Sequence, residues 1–250
     1  MNEKDYLYDM LVHDLKGPLS VVATSVASLL SKREKYGELT ERQIVSLERA
    51  LRNARRAQVL LNEMLEVARS EENLFQGCAF SVEKMVWESL VDVLESYDPR
   101  ARETVCVIED PTDLKTLLQT QGIFLDITGR YRQEPFFHDQ KKIQQVVRNL
   151  MSNALKYRRS RMEVSVSGED VLVISVSDDG PGIPKKEQEA IYKRFMRGQD
   201  GKVQRIEGLG LGLFCVKSML DSMKGEIILN SREGFGTQFT VRIPSLPTNG

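Results

Sequence analysis

The sequence is poor in histidine, cysteine and tryptophan, and it contains no long apolar run. Only two histidines occur, His13 and His138. No stretch approaches the roughly 20 apolar residues that a membrane-spanning helix needs. The first residues, MNEKDYLYDM, are acidic and helix-like, unlike a secretory signal. Net charge is −1, so no global field draws the chain toward nucleic acid or an anionic membrane. Cys78, Cys106 and Cys215 are far apart, odd in number and set among apolar neighbours. That pattern argues for buried thiols in a reducing compartment, not for a disulfide or metal set. These absences lead us to expect a cytoplasmic chain, or the cytoplasmic part of a longer membrane protein.

What is present has the composition of a soluble globular protein, with 41% hydrophobic and 28% charged residues. Two helices are expected first. Over residues 4–31, Tyr8, Leu11, Leu15, Val22, Val26 and Leu29 recur at helical spacings and form an apolar stripe. His13 lies two residues from Leu11 and from Leu15, so it points away from that stripe. Pro18 cannot donate to the carbonyl of Asp14, and a kink just beyond His13 is expected. An HD pair on a helix, taken alone, reads first as a solvated surface pair.

Residues 32–40 read as a turn, with Gly37 ending one helix and Thr40 capping the next. In the second helix, 41–69, Ile44, Leu47, Leu51, Ala54, Gln58, Leu61, Leu65 and Ala68 alternate spacings of three and four. This is a coiled-coil seam with one polar interruption. One hairpin buries such a seam poorly, whereas two hairpins in a four-helix bundle bury it well, so a homodimer is expected. Arg49, Arg52 and Arg56 line an outer, solvated face. Composition shifts at Ser70–Gly77, which divides the chain into 1–72 and 73–250.

The second part mixes strands and helices. A short strand and a helix are expected over 79–98, with Val86, Leu90, Val93 and Leu94 inward. TVCVI (104–108) and IFLDI (123–127) read as strands, DLKTLLQ (113–119) as a helical turn, and His138 as a structural residue at a strand end. An amphipathic helix begins at Gln140, with Asn149 and Asn153 on one face. Two alternating strands meet at a turn over residues 168–170. A polar loop over 198–209 has the composition of a mobile segment. The segment from Gly208 becomes a helix ending at Gly225, and two last strands flank REGFG. The architecture expected is an α+β two-layer sandwich with helices over one mixed sheet.

Several of these residues suit ATP. Asp178, at the end of a buried strand, can accept from the adenine amino group, and Gly180 and Gly182 let backbone approach the base. GLGLG opens a helix, so its N–H groups can face phosphate oxygens. Asn153 offers an amide oxygen suited to Mg²⁺, and Lys156 and Arg197 are cations for the polyphosphate. Each part also has a plain reading: packing for the glycines, a turn for DDG, surface decoration for the asparagines. Their order along the chain is what joins them.

In that order the sequence resembles the catalytic core of a two-component sensor histidine kinase over nearly its whole length. LVHDLKGPL resembles the phospho-acceptor box, NLMSNALKY the asparagine box and DDGPGI the first glycine box. YKRFMR resembles the phenylalanine box, GLGLGL the second glycine box and GFGTQF the last. The resemblance implies a dimerisation and histidine-phosphotransfer hairpin followed by a Bergerat-type ATP-binding domain. His13 would be the acceptor, with Asp14 orienting or deprotonating it. Asn149 and Asn153 would be the box asparagines, Asn153 on Mg²⁺. Lys156 and Tyr157 would touch phosphate and nucleotide. Asp178, Gly180 and Gly182 would hold adenine, with Thr237 supporting the pocket. Phe195 would anchor a lid, Arg197 would meet the γ-phosphate, and Gly208, Gly210 and Gly212 would close over the phosphates.

The implied activity is ATP-dependent autophosphorylation on His13, then transfer to an aspartate of a response-regulator receiver domain. Two other readings stand beside it. One is a dimeric phosphotransfer scaffold with an inactive ATP domain; the other is an ATPase that does not phosphorylate itself. Two departures from the family pattern are visible. Gly17 stands where the family often has Thr or Asn to position water for receiver dephosphorylation, which implies weak phosphatase activity. Residues 98–138 fit the pattern poorly.

Overall fold

The computed structural model describes residues 3–70, 75–97, 111–192 and 212–247, and leaves undescribed the side chains of 3–14, 33, 56, 59, 60, 62–70 and 111–114. The expected strand over 104–108 and the polar loop over 198–209 lie outside the described residues, as do residues 71–74 at the expected domain boundary.

Two long helices form the N-terminal hairpin: α1 (Glu3–Ser31) and α3 (Glu41–Ser70). Helix α1 continues through Pro18. The connection contains a short helix, α2 (Arg33–Tyr36), where only a turn was expected. Gly37 then takes a left-handed φ of 87°, which ends the helical path. Thr40 caps α3 as its residue type predicts. Its Oγ1 accepts from the Gln43 backbone N–H at 3.3 Å, while Gln43 Oε1 accepts from the Thr40 N–H at 2.9 Å. The two residues thereby satisfy one another's otherwise unpaired donors.

Ile44, Leu47, Leu51, Ala54, Gln58 and Leu61 all lie on the less exposed side of α3; Leu65 and Ala68 are among the undescribed side chains. The polar interruption of the seam has a partner. Gln58 Nε2 donates to Ser20 Oγ of α1 at 3.0 Å. Only Ala23 and Ala54 are buried apolar residues among the described hairpin side chains, while Leu15, Val21 and Val22 stay 50%, 66% and 47% exposed. Arg49 and Arg52 are exposed, Arg52 facing Glu48 across 3.6 Å.

The second part holds a five-stranded sheet in the order β2-β4-β5-β7-β6. Its strands are β2 (Ile123–Ile127), β4 (Met162–Ser167), β5 (Val171–Asp178), β6 (Glu226–Arg232) and β7 (Gly236–Pro244). Only β2 and β4 pair in parallel, so the sheet is mixed as expected. The alternation expected for one buried face is plain: Val164, Val166, Leu172, Ile174, Val241 and Ile243 are buried on the side that meets the helices.

Those helices are α4 (Val82–Tyr97), α5 (Pro111–Thr120), α6 (Gln140–Tyr157) and α7 (Gly212–Ser222). Helix α6 buries Ile143, Val146, Val147, Leu150, Met151 and Leu155, the apolar set its periodicity predicts. On α4, Val86, Leu90, Val93 and Leu94 are inward, also as expected. Helix α3 also approaches α7.

Three details differ from the sequence reading. A second, two-stranded sheet pairs β1 (Cys78–Phe80) with β3 (Phe136–His138), antiparallel. Cys78 is exposed, at the first position of that small sheet; Cys215 is buried on α7 as expected, and Cys106 lies outside the described residues. Helix α7 ends through Lys224, whose φ is 54°, with Gly225 N–H reaching back to the Leu220 carbonyl at 2.7 Å. The left-handed position is therefore one residue before the expected glycine.

Candidate nucleotide-binding site

The site is built at the C-terminal ends of β5 and α6, beside the start of α7. Strand register places Thr237 directly opposite Asp178 across the β5–β7 pair. Asp178 Oδ1 accepts from the Gly180 N–H at 2.8 Å, which folds the DDG segment sharply at the strand end. Burial pushes the Asp178 carboxyl up to about 6, reinforced by the neighbouring Asp179 charge and opposed by the Gly180 and Thr237 N–H groups. Thr237 is 8% exposed, and its hydroxyl lies 3.0 Å from Ser231 Oγ.

Two glycines are required by close approach. A Cβ on Gly180 would collide with the Tyr157 carbonyl at the end of α6. Gly182, at φ 70°, lies so close to the Arg232 carbonyl that any side chain would strike it. The asparagine-box helix, the first glycine turn and the last hairpin are thus packed backbone to backbone. Gly234 N–H donates to the Pro181 carbonyl at 2.6 Å and adds a direct bond between the two turns.

On α6, Asn149 and Asn153 are both half-buried. The Asn149 side-chain oxygen lies 3.6 Å from the position a Cβ would take on Gly212, the first residue of α7. Its Nδ2 is buried and has no hydrogen-bond partner among the described residues. Lys156 Nζ lies 5.2 Å over the Tyr157 ring, at the exit of the same helix. Asn149, Asn153, Lys156, Tyr157, Asp178, Gly180, Gly182, Gly212 and Thr237 therefore gather around one end of the sheet.

Phe195, Arg197, Gly208 and Gly210 lie outside the described residues, and so do the side chains of His13 and Asp14, whose backbone is helical within α1. His138 is placed apart, as a structural residue. It is 0% exposed, stacks 6.0 Å from Phe136, and its Nδ1 accepts from the Asp139 N–H at 2.7 Å. Burial drives its pKa down to about 4, so the ring is neutral.

Three supporting residues were not singled out from the sequence. Ser231 Oγ accepts from the Ile183 N–H at 2.8 Å and also reaches the Gly236 carbonyl at 2.9 Å. Gln188 Nε2 donates to the carbonyls of Ile183 and Ser231 at 2.9 and 3.0 Å. The Asp179 carboxylate accepts from the backbone N–H groups of Arg159, Ser160 and Arg161. Burial raises its pKa, but these bonds outweigh burial and hold it below the usual carboxylate range. A serine late in a strand and a glutamine in a 3₁₀ turn are too ordinary to be singled out. Asp179 was visible only as the second residue of the DDG turn.

Comparison with known proteins agrees with this arrangement. Residues 3–73 match the His Kinase A (phospho-acceptor) domain, and residues 138–247 match the histidine kinase-, DNA gyrase B- and HSP90-like ATPase domain. The chain is 30% identical over 248 residues to the adaptive-response sensory kinase SasA of Synechococcus sp. strain JA-3-3Ab, covering 96% of this chain and 59% of that protein. It is 28% identical over 237 residues to the sensor histidine kinase WalK of Bacillus subtilis strain 168, covering 93% of this chain and 35% of the relative. It thus spans about three fifths or less of these relatives.

In fold it is similar to full-length ShkA, solved with AMPPNP, with a TM-score of 0.65 at 17% identity over 98% of this chain and 47% of that one. It is similar also to the Acinetobacter baumannii histidine kinase AdeS, with a TM-score of 0.56 at 18% identity over 94% of this chain and 98% of that one. With its helical phospho-acceptor region, its ATP-binding sandwich and the motifs gathered at the sheet end, this chain carries the two domains of a two-component histidine kinase catalytic core.

Proposed function

We propose that the chain uses ATP to phosphorylate itself on His13 and passes the phosphoryl group to an aspartate of a receiver domain. The observation that carries this reading is the convergence of the asparagine-box, first-glycine-box and last-glycine-box residues at one sheet end. It stands together with a matched phospho-acceptor region that contains His13. The division of labour follows the expected boundary, 1–72 for the hairpin and 73–250 for ATP binding.

Asp178 accepts from the adenine amino group, with Gly180, Gly182 and Thr237 shaping the pocket, and Tyr157 and Lys156 flank the nucleotide. Arg197 meets the γ-phosphate, Phe195 anchors a lid, and Gly208, Gly210 and Gly212 close over the phosphates. His13, neutral at pH 7, brings a ring nitrogen in line with the γ-phosphorus. The new N–P bond forms as the bond to the leaving oxygen of ADP breaks. Asp14 holds or takes the proton on the other ring nitrogen.

Among the described residues no group of three or more His, Cys, Asp or Glu could form a metal cage. That suits Mg²⁺, which keeps water and phosphate ligands and needs few from protein. The half-buried amide of Asn153 fits this role beside Asn149, and the ion would offset charge on the phosphates.

Two copies assemble through the hairpin. Leu15 and Val22, which share a flank of α1 about a quarter turn from the buried Ala23, would be covered by the second copy.

Incubation with γ-labelled ATP and Mg²⁺ tests the proposal. Acid-labile label on the wild type, lost in both His13→Gln and Asn153→Ala, is the expected result. ATP turnover that survives His13→Gln without any label on the wild type would point instead to a plain ATPase. Absence of nucleotide binding would point to a scaffold.

A further inference from the structure

The segment that leads from the hairpin into the ATP-binding domain meets that domain at a buried carboxylate. Asp139, 5% exposed, stands between β3 and α6 and uses its two oxygens separately. Oδ1 accepts from the Lys142 N–H at 3.2 Å and caps α6, the helix that carries Asn149, Asn153, Lys156 and Tyr157. Oδ2 accepts from the Gln76 N–H at 3.1 Å, 63 residues away in sequence.

The neighbouring contacts point to the same place. The Phe75 ring meets the buried His138 ring edge-on at 5.7 Å, and Lys142 Nζ lies 4.4 Å over the other side of Phe75. A Cβ on Gly77 would lie 3.2 Å from the Phe137 ring, so only the smallest residue passes there without displacing it. Antiparallel pairing of β1 with β3 then continues the attachment from Cys78 onward.

Residue type distinguishes a cap from a junction. Capping α6 alone is served by Ser, Thr, Asn or Asp. Here the two donors, on two separate segments, come to two different oxygens; a carboxylate of this length offers an acceptor at both positions, whereas Asn would place an NH₂ donor at one of them and Ser has a single oxygen. Charge-assisted bonds of this kind are also stronger than neutral ones.

We propose that Asp139 is a positioning residue, joining the linker to the first turn of the nucleotide-bearing helix so that the ATP site and the hairpin keep a defined mutual orientation. Phe75 is its apolar counterpart, held between His138 and Lys142. This inference rests on the autophosphorylation reading above. Asp139 does not touch the nucleotide; it acts through α6.

The test compares Asp139→Ser, which keeps an N-cap acceptor but cannot serve both donors, with Phe75→Ala, which removes the ring and leaves the carboxylate intact. Both are made in the full chain. Labelling of His13 at saturating ATP, and the dissociation constant for an ATP analogue, are measured for each. The expected outcome is a labelling rate about fivefold lower in both variants, with nucleotide affinity changed less than twofold. Retained affinity also shows that the domain has folded. Unchanged labelling in both variants would overturn the proposal. So would parallel loss of labelling and affinity, since that is what simple loss of a helix cap produces. Failure of the wild type to label would instead overturn the kinase reading itself, and the two failures are thereby separable.

Discussion

The hairpin and the ATP-binding domain solve the same problem in opposite ways. The ATP-binding domain closes its own core: Phe136, Ile143, Leu150, Met162, Leu172 and Ile243 are all essentially inaccessible within one chain. Among its described side chains the hairpin buries little by itself, since Ala23 and Ala54 bring little apolar area and Leu15, Val21 and Val22 remain open. One region is complete as a single chain, whereas the other has half of a core and an apolar face awaiting cover. The lesson is that apolar periodicity announces a buried surface without saying whose surface buries it.

The largest expected effect falls on the self-contained region. Leu150→Ala should cost about 2–5 kcal/mol of unfolding free energy, because the cavity cannot collapse inside a packed sandwich. Denaturant unfolding of the full chain measures it. A change below 1 kcal/mol would mean that the domain core is looser than its burial indicates.

Gly236→Ala comes next. Gly236 has φ 106°, and a Cβ there would collide with the Asp178 carbonyl. Left-handed strain costs about 1–3 kcal/mol, and displacement of Asp178 should abolish ATP-analogue binding. Wild-type affinity in this variant would break the link between the last hairpin and the adenine pocket.

The pH dependence follows from opposed titrations. In the role proposed for it, Asp178 accepts from adenine in its ionised form, and its carboxyl is pushed up to about 6. Nucleotide affinity should therefore fall about fivefold between pH 6 and pH 5 for this one-proton event, and Asp178→Asn should flatten the profile.

Stability behaves differently from affinity. A raised carboxyl pKa makes Asp178 favour folding in its protonated form, so its contribution falls as pH rises from about 4 to about 6. His138, lowered to about 4, does the reverse: stability is lost as pH drops from 6.5 toward 4. The two trends oppose one another in the wild type. Asp178→Asn should therefore uncover a rise of stability with pH between 4 and 6.5, readable from melting temperatures across that range.

Val22→Ser sharpens the comparison from the hairpin side. With Val22 already 47% exposed in one chain, unfolding of the monomer should barely respond. Covering the remainder in a dimer is worth about 1 kcal/mol, so self-association should weaken roughly fivefold in sedimentation experiments. Unaltered association would place the dimer contact elsewhere on the hairpin.

The smallest structural change is Gly17→Asn. Nothing lies within 4 Å of a Cβ there, so the side chain fits. Receiver dephosphorylation should rise while stability moves by less than about 0.5 kcal/mol. An unchanged dephosphorylation rate would remove the significance attached to this glycine.

Much of this organisation was legible in the sequence because it repeats. The long helices, the buried face of α6 and the alternation of β4 and β5 rest on many residues each, and one exception does not hide them. The grouping of Asp178, Gly180, Gly182 and Thr237 at one end of the sheet was legible from motif order. What was not legible depends on single contacts or on short elements. Strands β1 and β3 are expected from the sequence, one opening the 79–98 segment and one ending at His138, but at three residues each they carry no pattern that tells their pairing or the exposure of Cys78. Ser231, Gln188 and Asp139 act through hydrogen bonds to residues that are distant in sequence or belong to neighbouring turns, and no local pattern marks them. Lys224 occupies a left-handed position that residue type would assign to the glycine beside it.

The small β1–β3 sheet has one more consequence. Beyond β7, the chain returns to it: Leu246 N–H and Ser245 Oγ both donate to the Phe137 carbonyl, at 3.0 and 3.2 Å. Entry and departure of the ATP-binding domain are thus fastened to the same strand, next to the cap of α6. Any swing of the domain about its linker has its pivot there, and the parts nearest a pivot travel least. A reporter group attached after Leu246 would stay almost still while the nucleotide site sweeps an arc, whereas one placed at the β6–β7 turn would move with the site.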